Sequence, residues 1–360
     1  MARREQGKVL GLFHAIGFDA ETQVAREIWT EEAVATAAIE GEKLDPAAVR
    51  SSVGRRLGVE DDGEARVSRH VDGLLDVMQD ALGSFRETLD DDRLHRWHSA
   101  LFPGGTTGIR RIAVGKYRKR ADPMQVVRGA VGHEKVHYEA PASSRVPVEM
   151  RQLLDWWERT RPDRTQAEPV DGIVRAAIAH LWFETIHPFE DGNGRIGRAL
   201  IDMALAQDLQ SDRRLYCVAR RLMTRRNAYY DAINAAQRGS LEVTAWVAFF
   251  LEQFTAACAI SQSVVEEAIE KNRFWAAHAQ HALNERQRKA AKRLLDAGKG
   301  GFEGGLSAEK YANLTGASKA TATRDLTELA KRGLLVSTGQ GRGTRYWINL
   351  PGWSGIDGAV

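Results

Sequence analysis

Apolar residues recur at helical spacing along most of this chain. Between residues 66 and 89, Val67, Val71, Leu74, Leu75, Met78 and Leu82 lie three and four apart, which predicts an amphipathic helix. Ile173, Val174, Ala177, Ile178 and Leu181 mark another apolar face that runs up to Ile186, and Ile196, Leu200, Met203 and Ala204 restart one after a gap. In "WTEEAVATAAIEGEKLDP" (29–46), Thr30 followed by Glu31 and Glu32 reads as a helix start, and Gly41 with Pro46 as its stop. "GVEDDGEA" (58–65) reads as a loop.

The pattern changes over 103–150, where glycine and β-branched residues replace the helical period. A hairpin is predicted from Gln125–Val131, a turn near Gly132, and Lys135–Tyr138, with His133 and His137 as surface or strand residues. Helical periodicity returns at 146–160 and 170–186 and continues to about 282. The last 75 residues read as helix, helix, Gly-containing turn, helix and a hairpin with a Gly/Arg-rich tip, which is a winged helix-turn-helix order. The fold class is mainly α.

At 360 residues the chain is long enough for two or three domains with real cores, and 43% hydrophobic with 28% charged residues is an ordinary globular balance. No stretch of 18 consecutive apolar residues occurs and the basic N-terminus lacks an apolar signal region, so neither a membrane span nor a signal peptide is expected. Cys217 and Cys258 sit in apolar helical contexts and read as buried free thiols, which fits a cytoplasmic setting. Residues 285–350 carry 13 Lys and Arg against 6 Asp and Glu, on a chain whose net charge is only +3, so a basic C-terminal module follows a mildly acidic body.

Between the two apolar faces lies "HPFEDGNGRIGR" (187–198). Pro188 disfavours helical geometry at His187, so the helix should end there with the imidazole at a rim. Gly192, Asn193 and Gly194 then sit at the start of the next helix, where free amides and the positive dipole end meet and glycine admits phosphate oxygens. Arg195 and Arg198 lie near one side of the first turn and suit a polyphosphate. Asp191 is a carboxylate that could share Mg2+ with those phosphates. His187 is the natural general base for a hydroxyl. Phe189 reads as an apolar anchor.

This stretch resembles the Fic family signature, H-x-F-x-[D/E]-G-N-G-R-x-x-R, at every specified position. "GKYR" (115–118), "MQVVRGAVGHEKVHYEAP" and "RRNAYYDAINAAQRGSLEVTAWVAFFL" (225–251) look like further segments of the family, and the first 100 residues are similar to a helical domain many members carry. The resemblance implies a helical N-terminal domain over 1–100 with an inhibitory helix at about 30–41. It implies a Fic catalytic core with a hairpin flap over 101–282, followed by a winged helix at 283–350 and a tail at 351–360.

It further implies transfer of AMP from ATP to a Ser, Thr or Tyr hydroxyl of a protein. His187 would deprotonate the hydroxyl, Asp191 would bind Mg2+, and Gly192, Asn193, Gly194 and Arg195 would hold the α- and β-phosphates. Arg198 would hold the γ-phosphate. Tyr230 lies where the family has an adenine-contacting aromatic, and Gln237 stands where relatives often have Asn. The flap would hold an extended target segment by strand addition. The loop keeps GNGR rather than the Lys-type variant of the Doc kinases, which favours nucleotidyl transfer.

"TAAIEG" (36–41) matches the family's inhibitory pattern [S/T]-x-x-x-E-[G/N]. The resemblance implies that Glu40, with Thr36 and Gly41, pairs with Arg198 and blocks the γ-phosphate; in some relatives the same Glu supports AMP removal. In the C-terminal module, Lys319 and Arg324 on the second helix and Arg342 on the wing are the candidate DNA contacts. Left open at this point are a DNA-binding regulator with the Fic core as sensor or toxin, another nucleotide as donor, self-modification and a homodimer.

Overall fold

The computed structural model describes residues 1–16, 18–59, 69–119, 124–128, 135–163, 170–299 and 301–353. The chain is mainly helical and divides into two compact units, Met1–Val264 and Val265–Val360.

The first unit is built around two central helices, α7 (Gly172–Ile186) and α8 (Asn193–Leu209), which pack along each other. α7 is buried on nearly every side, as a helix without a polar face must be. Asp171 starts it, its carboxylate accepting from the Ile173 and Val174 amides. α4 (Arg69–Gly83) and α5 (Asp91–Leu101) pack on α8, and α6 (Val146–Arg159) packs on α7. α4 places Val71, Leu74, Leu75, Met78 and Leu82 in the core, as the periodicity predicts. Four short strands, in two pairs, precede α6. β1 (Thr106–Thr107) pairs antiparallel with β2 (Arg110–Arg111), and β3 (Gln125–Arg128) pairs antiparallel with β4 (Lys135–Glu139), with a bulge between Val126 and Val127. The second pair is the expected hairpin. Its turn near Gly132, His133 and the side chain of His137 lie outside the described residues, as does most of the 58–65 loop.

The N-terminal helices depart from expectation in one respect. α1 (Ala2–Ala15) precedes α2 (Phe18–Ile39), and α2 begins twelve residues before Thr30. The Thr30 hydroxyl donates to the Arg26 carbonyl at 2.7 Å, one turn back, as threonines do inside helices. Glu32 caps a different helix. Its carboxylate accepts from the amides of Ala219 (2.8 Å) and Arg220 (2.9 Å) at the start of α9 (Val218–Thr224), and so docks α2 on α9. Burial, with help from Asp202, pushes the Glu32 carboxyl up to about 8. Pro46 opens α3 (Pro46–Arg56) at its first turn, with Asp45 as cap, rather than merely stopping α2.

α10 (Arg226–Arg238) follows α9, and α11 runs from Thr244 to Ala277. Among the described residues α11 is long and apolar enough to cross a membrane by length and composition, but its Trp246, Phe250, Phe254, Ala257 and Cys258 are buried in the protein core. Cys217 and Cys258 are both buried and free.

The second unit contains α12 (Glu285–Asp296), α13 (Ala308–Thr315), α14 (Lys319–Lys331) and the antiparallel pair β5 (Leu335–Thr338) and β6 (Arg345–Ile348), joined through a 3-10 turn at Gly341–Gly343. Asn284 and Gln287 form a reciprocal capping box on α12, and Ser307 and Ser318 cap α13 and α14. Leu294, Tyr311, Leu326, Leu329, Ile348 and Trp353 lie in its core together with Phe274 from the end of α11.

Candidate active site

α7 ends where Pro188 requires it. His187 takes the left-handed conformation, φ 50° and ψ 59°, one of two non-glycine residues with positive φ among those described. Such a backbone costs on the order of 1–3 kcal/mol and persists only when neighbours enforce it. Here the enforcing group is Arg118, whose Nε donates to the His187 carbonyl at 2.7 Å and whose Nη2 donates to that of Ile186 at 3.1 Å. The imidazole Nδ1 is buried without a hydrogen-bond partner, 3.9 Å from Glu184 Oε2. Burial holds the imidazole down near 4, so the ring is neutral at ordinary pH; the nearby Glu184 backbone opposes the shift and the Arg118 charge adds to it. Burial and the nearby Glu40 push Glu184 up to about 8.

Phe189 is fully buried and stacks on His98, with ring centroids 4.3 Å apart. It anchors the loop, as its setting among polar residues suggests. The Asn193 side chain clasps the same residue from both sides. Its Oδ1 accepts from the Phe189 amide and its Nδ2 donates to the Phe189 carbonyl, each at 2.9 Å. Asn193 therefore offers an anion its backbone amide and spends its side chain on holding the loop closed. No side chain caps α8 at Gly192, which leaves the amides of the first turn facing outward with the positive end of the helix dipole.

Two guanidiniums flank this nest, and each is already bound to a carboxylate from one short segment. Arg198 Nη2 donates to Glu40 Oε1 at 2.7 Å and to the Thr36 carbonyl at 3.0 Å, while its Nε donates to the Thr36 hydroxyl. Arg195 Nη1 donates to Glu42 Oε1 at 2.9 Å, and its guanidinium lies over the Phe102 ring. Burial works against the Arg198 charge, but Glu40, with Tyr229 and Tyr230, together outweigh it and hold the guanidinium above its ordinary range.

The end of α2 explains how one segment reaches both arginines. Gly41 takes φ +86°, its amide donates to the Ala38 carbonyl, and the Glu42 amide donates to that of Ala37, each at 3.0 Å. This is the left-handed helix end that glycine favours. It turns the chain between Glu40 and Glu42 so that the first meets Arg198 and the second Arg195. Gly194 completes the fit, since a side-chain carbon there would lie 2.1 Å from Glu40 Oε1. The Glu40 carboxylate thus rests against the α8 N-terminus itself.

Asp191 lies at the mouth of the nest, its Oδ1 accepting from the Gly192 amide at 2.5 Å and standing 3.6 Å from Arg195 Nη2. No group of three metal-ligating side chains exists among the described residues. A single half-exposed carboxylate beside an anion nest suits magnesium, which completes its shell with water and phosphate oxygens. Tyr230 on α10 donates to the Ile39 carbonyl at 3.2 Å and so borders the same end of α2. Gln237 is half-buried, two turns farther along α10. Glu42 and Arg118 are participants that motif reading passes over. The acid flanking Gly41 on its other side was a visible signal for the first, and the buried "GKYR" arginine for the second.

In the second unit, Lys319 opens α14 and Arg324 follows on it, both exposed, and Arg342 is exposed at the hairpin tip. Thr36, Glu40, Gly41, His187, Asp191–Arg195, Arg198 and Tyr230 belong to one place in the first unit.

Residues 88–205 match the Fic/DOC family, and residues 1–59 match a domain of unknown function, DUF4172. Over 133 residues, 37% of this chain and 35% of the relative, the sequence is 30% identical to a probable protein adenylyltransferase, aq_aa38, of Aquifex aeolicus (strain VF5). Over 86 residues it is 33% identical to the protein adenylyltransferase fic-1 of Caenorhabditis elegans, of which the match spans 16%. A crystal structure of a Fic family protein from Desulfovibrio desulfuricans G20 superposes with TM-score 0.54 at 22% identity, over 96% of this chain and 94% of that one. Fic-1 (residues 134–508) of C. elegans superposes with TM-score 0.51 at 20% identity, over 74% and 73% of the two chains.

Proposed function

We propose that this chain, a Fic domain protein, transfers the AMP moiety of ATP to a Ser, Thr or Tyr hydroxyl of a protein and is held inactive by the end of its own α2. One observation carries the reading: a carboxylate of the chain itself, Glu40, lies against Gly194 at an uncapped helix N-terminus and on Arg198. A site that binds its own acid so closely is built for anions. The relatives named protein adenylyltransferase point to ATP as the source of that anion.

In the active state the first-turn amides of α8 and Arg195 hold the α- and β-phosphates, and Arg198 holds the γ-phosphate. The His187 Nδ1 is turned inward, so Nε2 is the nitrogen left to meet the target. The neutral ring takes the hydroxyl proton as the oxygen attacks the α-phosphorus. The bond from that phosphorus to the bridging oxygen breaks, and pyrophosphate leaves. The protein supplies position and charge, which is most of what phosphoryl-type transfers require. Asp191 would hold magnesium, which supplies charge neutralisation on the phosphates when bound. The β3–β4 hairpin offers a strand edge to the target.

In the resting state Glu40 and Glu42 occupy both arginines. ATP must displace the first to seat its γ-phosphate and the second to use Arg195. Tyr230, which borders α2 here, becomes available to the adenine when that segment moves.

The test uses the full-length chain, unaltered and with Glu40→Gly, incubated with α-labelled or γ-labelled ATP, magnesium and a cell lysate. Transfer of the α-label to protein, increased in the variant, supports the reading. Transfer of the γ-label instead makes the enzyme a kinase, and no transfer of either refutes it.

A second reading concerns the second unit. Its exposed Lys319, Arg324 and Arg342 favour duplex DNA as a partner, and the order of two helices, a turn and a hairpin supports a winged-helix reading of this unit. Binding of a labelled duplex by the full chain should weaken steeply with salt and lose slope in Lys319→Ala and Arg342→Ala. No retention at low salt would end this reading.

A further inference from the structure

The described ion pairs leave one deeply buried cation near the site without an acid. Arg118 is 2% exposed, and among the described residues no carboxylate lies within ion-pair distance of it. Burial lowers its pKa, so the fold works against its charge. Arg118 spends its donors on two separate segments of the chain.

One piece is the strained turn at His187. Nε donates to the His187 carbonyl and Nη2 to that of Ile186, and the Arg118 main-chain amide donates to the Pro188 carbonyl at 2.9 Å. The other piece is the segment leaving β4. Nη2 donates to the Pro141 carbonyl at 2.6 Å, and Nη1 donates to Ser143 Oγ at 3.0 Å. Two residues before Pro141 stands Glu139, which pairs with Gln125 in the hairpin register.

We infer that Arg118 is a positioning residue that fixes the His187 imidazole relative to the β3–β4 hairpin, so that a hydroxyl carried on a strand docked there arrives at the base. This deepens the reading of the preceding subsection and rests on it for the role of His187. A rigid planar fork is the side chain that can bridge both segments at once. Lysine places its donors on a single atom and cannot. Arg118 touches neither the α8 amides nor Arg195 or Arg198, so the inference separates chemistry from ATP binding. Glu40 and Asp191 are the other charged groups that act on the imidazole, and neither reaches the hairpin segment in the described contacts.

The test uses the full-length chain in the Glu40→Gly background, with self-labelling by α-labelled ATP as readout. Arg118→Lys should lower the rate at saturating ATP by about 30- to 100-fold, the scale of a misplaced reacting group, while KM for ATP stays within about threefold. A rate within threefold of the parent, or a KM that rises in proportion to the loss, overturns the inference.

Hydrogen exchange provides a readout independent of transfer. In Arg118→Lys, peptides covering the β3–β4 hairpin and residues 183–190 should lose protection together, while α8 keeps its own. If the hairpin exchanges as in the parent, the link is refuted. If the Glu40→Gly parent does not label at all, the transferase reading fails, and exchange still judges Arg118. Should Arg118→Lys lose its cooperative melting transition, Ser143→Ala removes one bond on the hairpin side with little risk to the fold. It must then raise hairpin exchange alone for the inference to stand.

Discussion

The two units of this molecule treat buried polarity in opposite ways. In the second unit the buried Asp325 is fully engaged, its Oδ2 accepting from the Tyr311 hydroxyl at 2.9 Å and from Arg286 Nε at 3.1 Å. Among the described residues, no buried side-chain nitrogen or oxygen of that unit lacks a partner. In the first unit several do, and those around the loop include His98 Nε2, Glu184 Oε1, His187 Nδ1 and Arg195 Nε. Leaving such atoms unpaired costs about 1–3 kcal/mol each. A fold tolerates that cost where the groups serve a ligand rather than each other. The contrast teaches where to look for chemistry. The first unit keeps its reactive groups inside, and the second presents its charge on the surface.

The comparison can be broken most directly at the base. His187→Ala should reduce α-label transfer by about 10²- to 10⁴-fold, the range for loss of a general base, with an unchanged melting transition. Comparable transfer in the variant would make the unpaired imidazole irrelevant. Next in size is Glu40→Gly, which removes a charge-assisted hydrogen bond worth about 1.5–3 kcal/mol. Transfer should rise roughly ten- to a hundredfold, read as initial rate at fixed ATP.

The second unit gives the opposite result. Asp325→Ala leaves the Tyr311 hydroxyl buried and unpaired, at about 1–3 kcal/mol, so the unit's thermal transition should fall by several degrees while labelling by the Glu40→Gly chain is unaffected. A fall in labelling with no loss of stability would erase the distinction between the units. Glu42→Ala removes a half-exposed partner of Arg195, worth at most about 1 kcal/mol, and should raise transfer no more than about fivefold. A larger gain than that of Glu40→Gly would make Arg195 the main point of restraint.

The smallest effect is on pH. Burial depresses His187 to about 4, so the ring is neutral and able to accept a proton above that value, and activity should be lost only as pH falls through about 4. An acid limb near the ordinary histidine value of about 6.5 would mean that the imidazole is not buried in the working state.

Much of the site was legible in the chain. Pro188 after His187 announces the end of α7, and Gly192-Asn193-Gly194 ahead of an apolar period announces an open helix start. The pattern "TAAIEG" places Glu40 one turn beyond Thr36. Thr30 and the acids after it resemble a cap although α2 begins at Phe18, and local sequence does not reveal that Glu32 serves a helix that starts at Val218. The hairpin strands were legible from their β-branched runs, and their bulge was not.

The sequence alone therefore determined which chemical groups stand together on the loop, because helix ends, glycine freedom and residue order are local properties. Tertiary structure decided which distant groups those would meet. Glu40 and Glu42 reach Arg198 and Arg195 only because α2 is docked on α9 by the Glu32 cap and ends in a left-handed turn. Arg118 binds both the His187 turn and the segment after β4 only because the core brings residues 118, 141 and 187 together. Contacts across such separations depend on how helices pack, and packing is a property of the whole core rather than of any one segment.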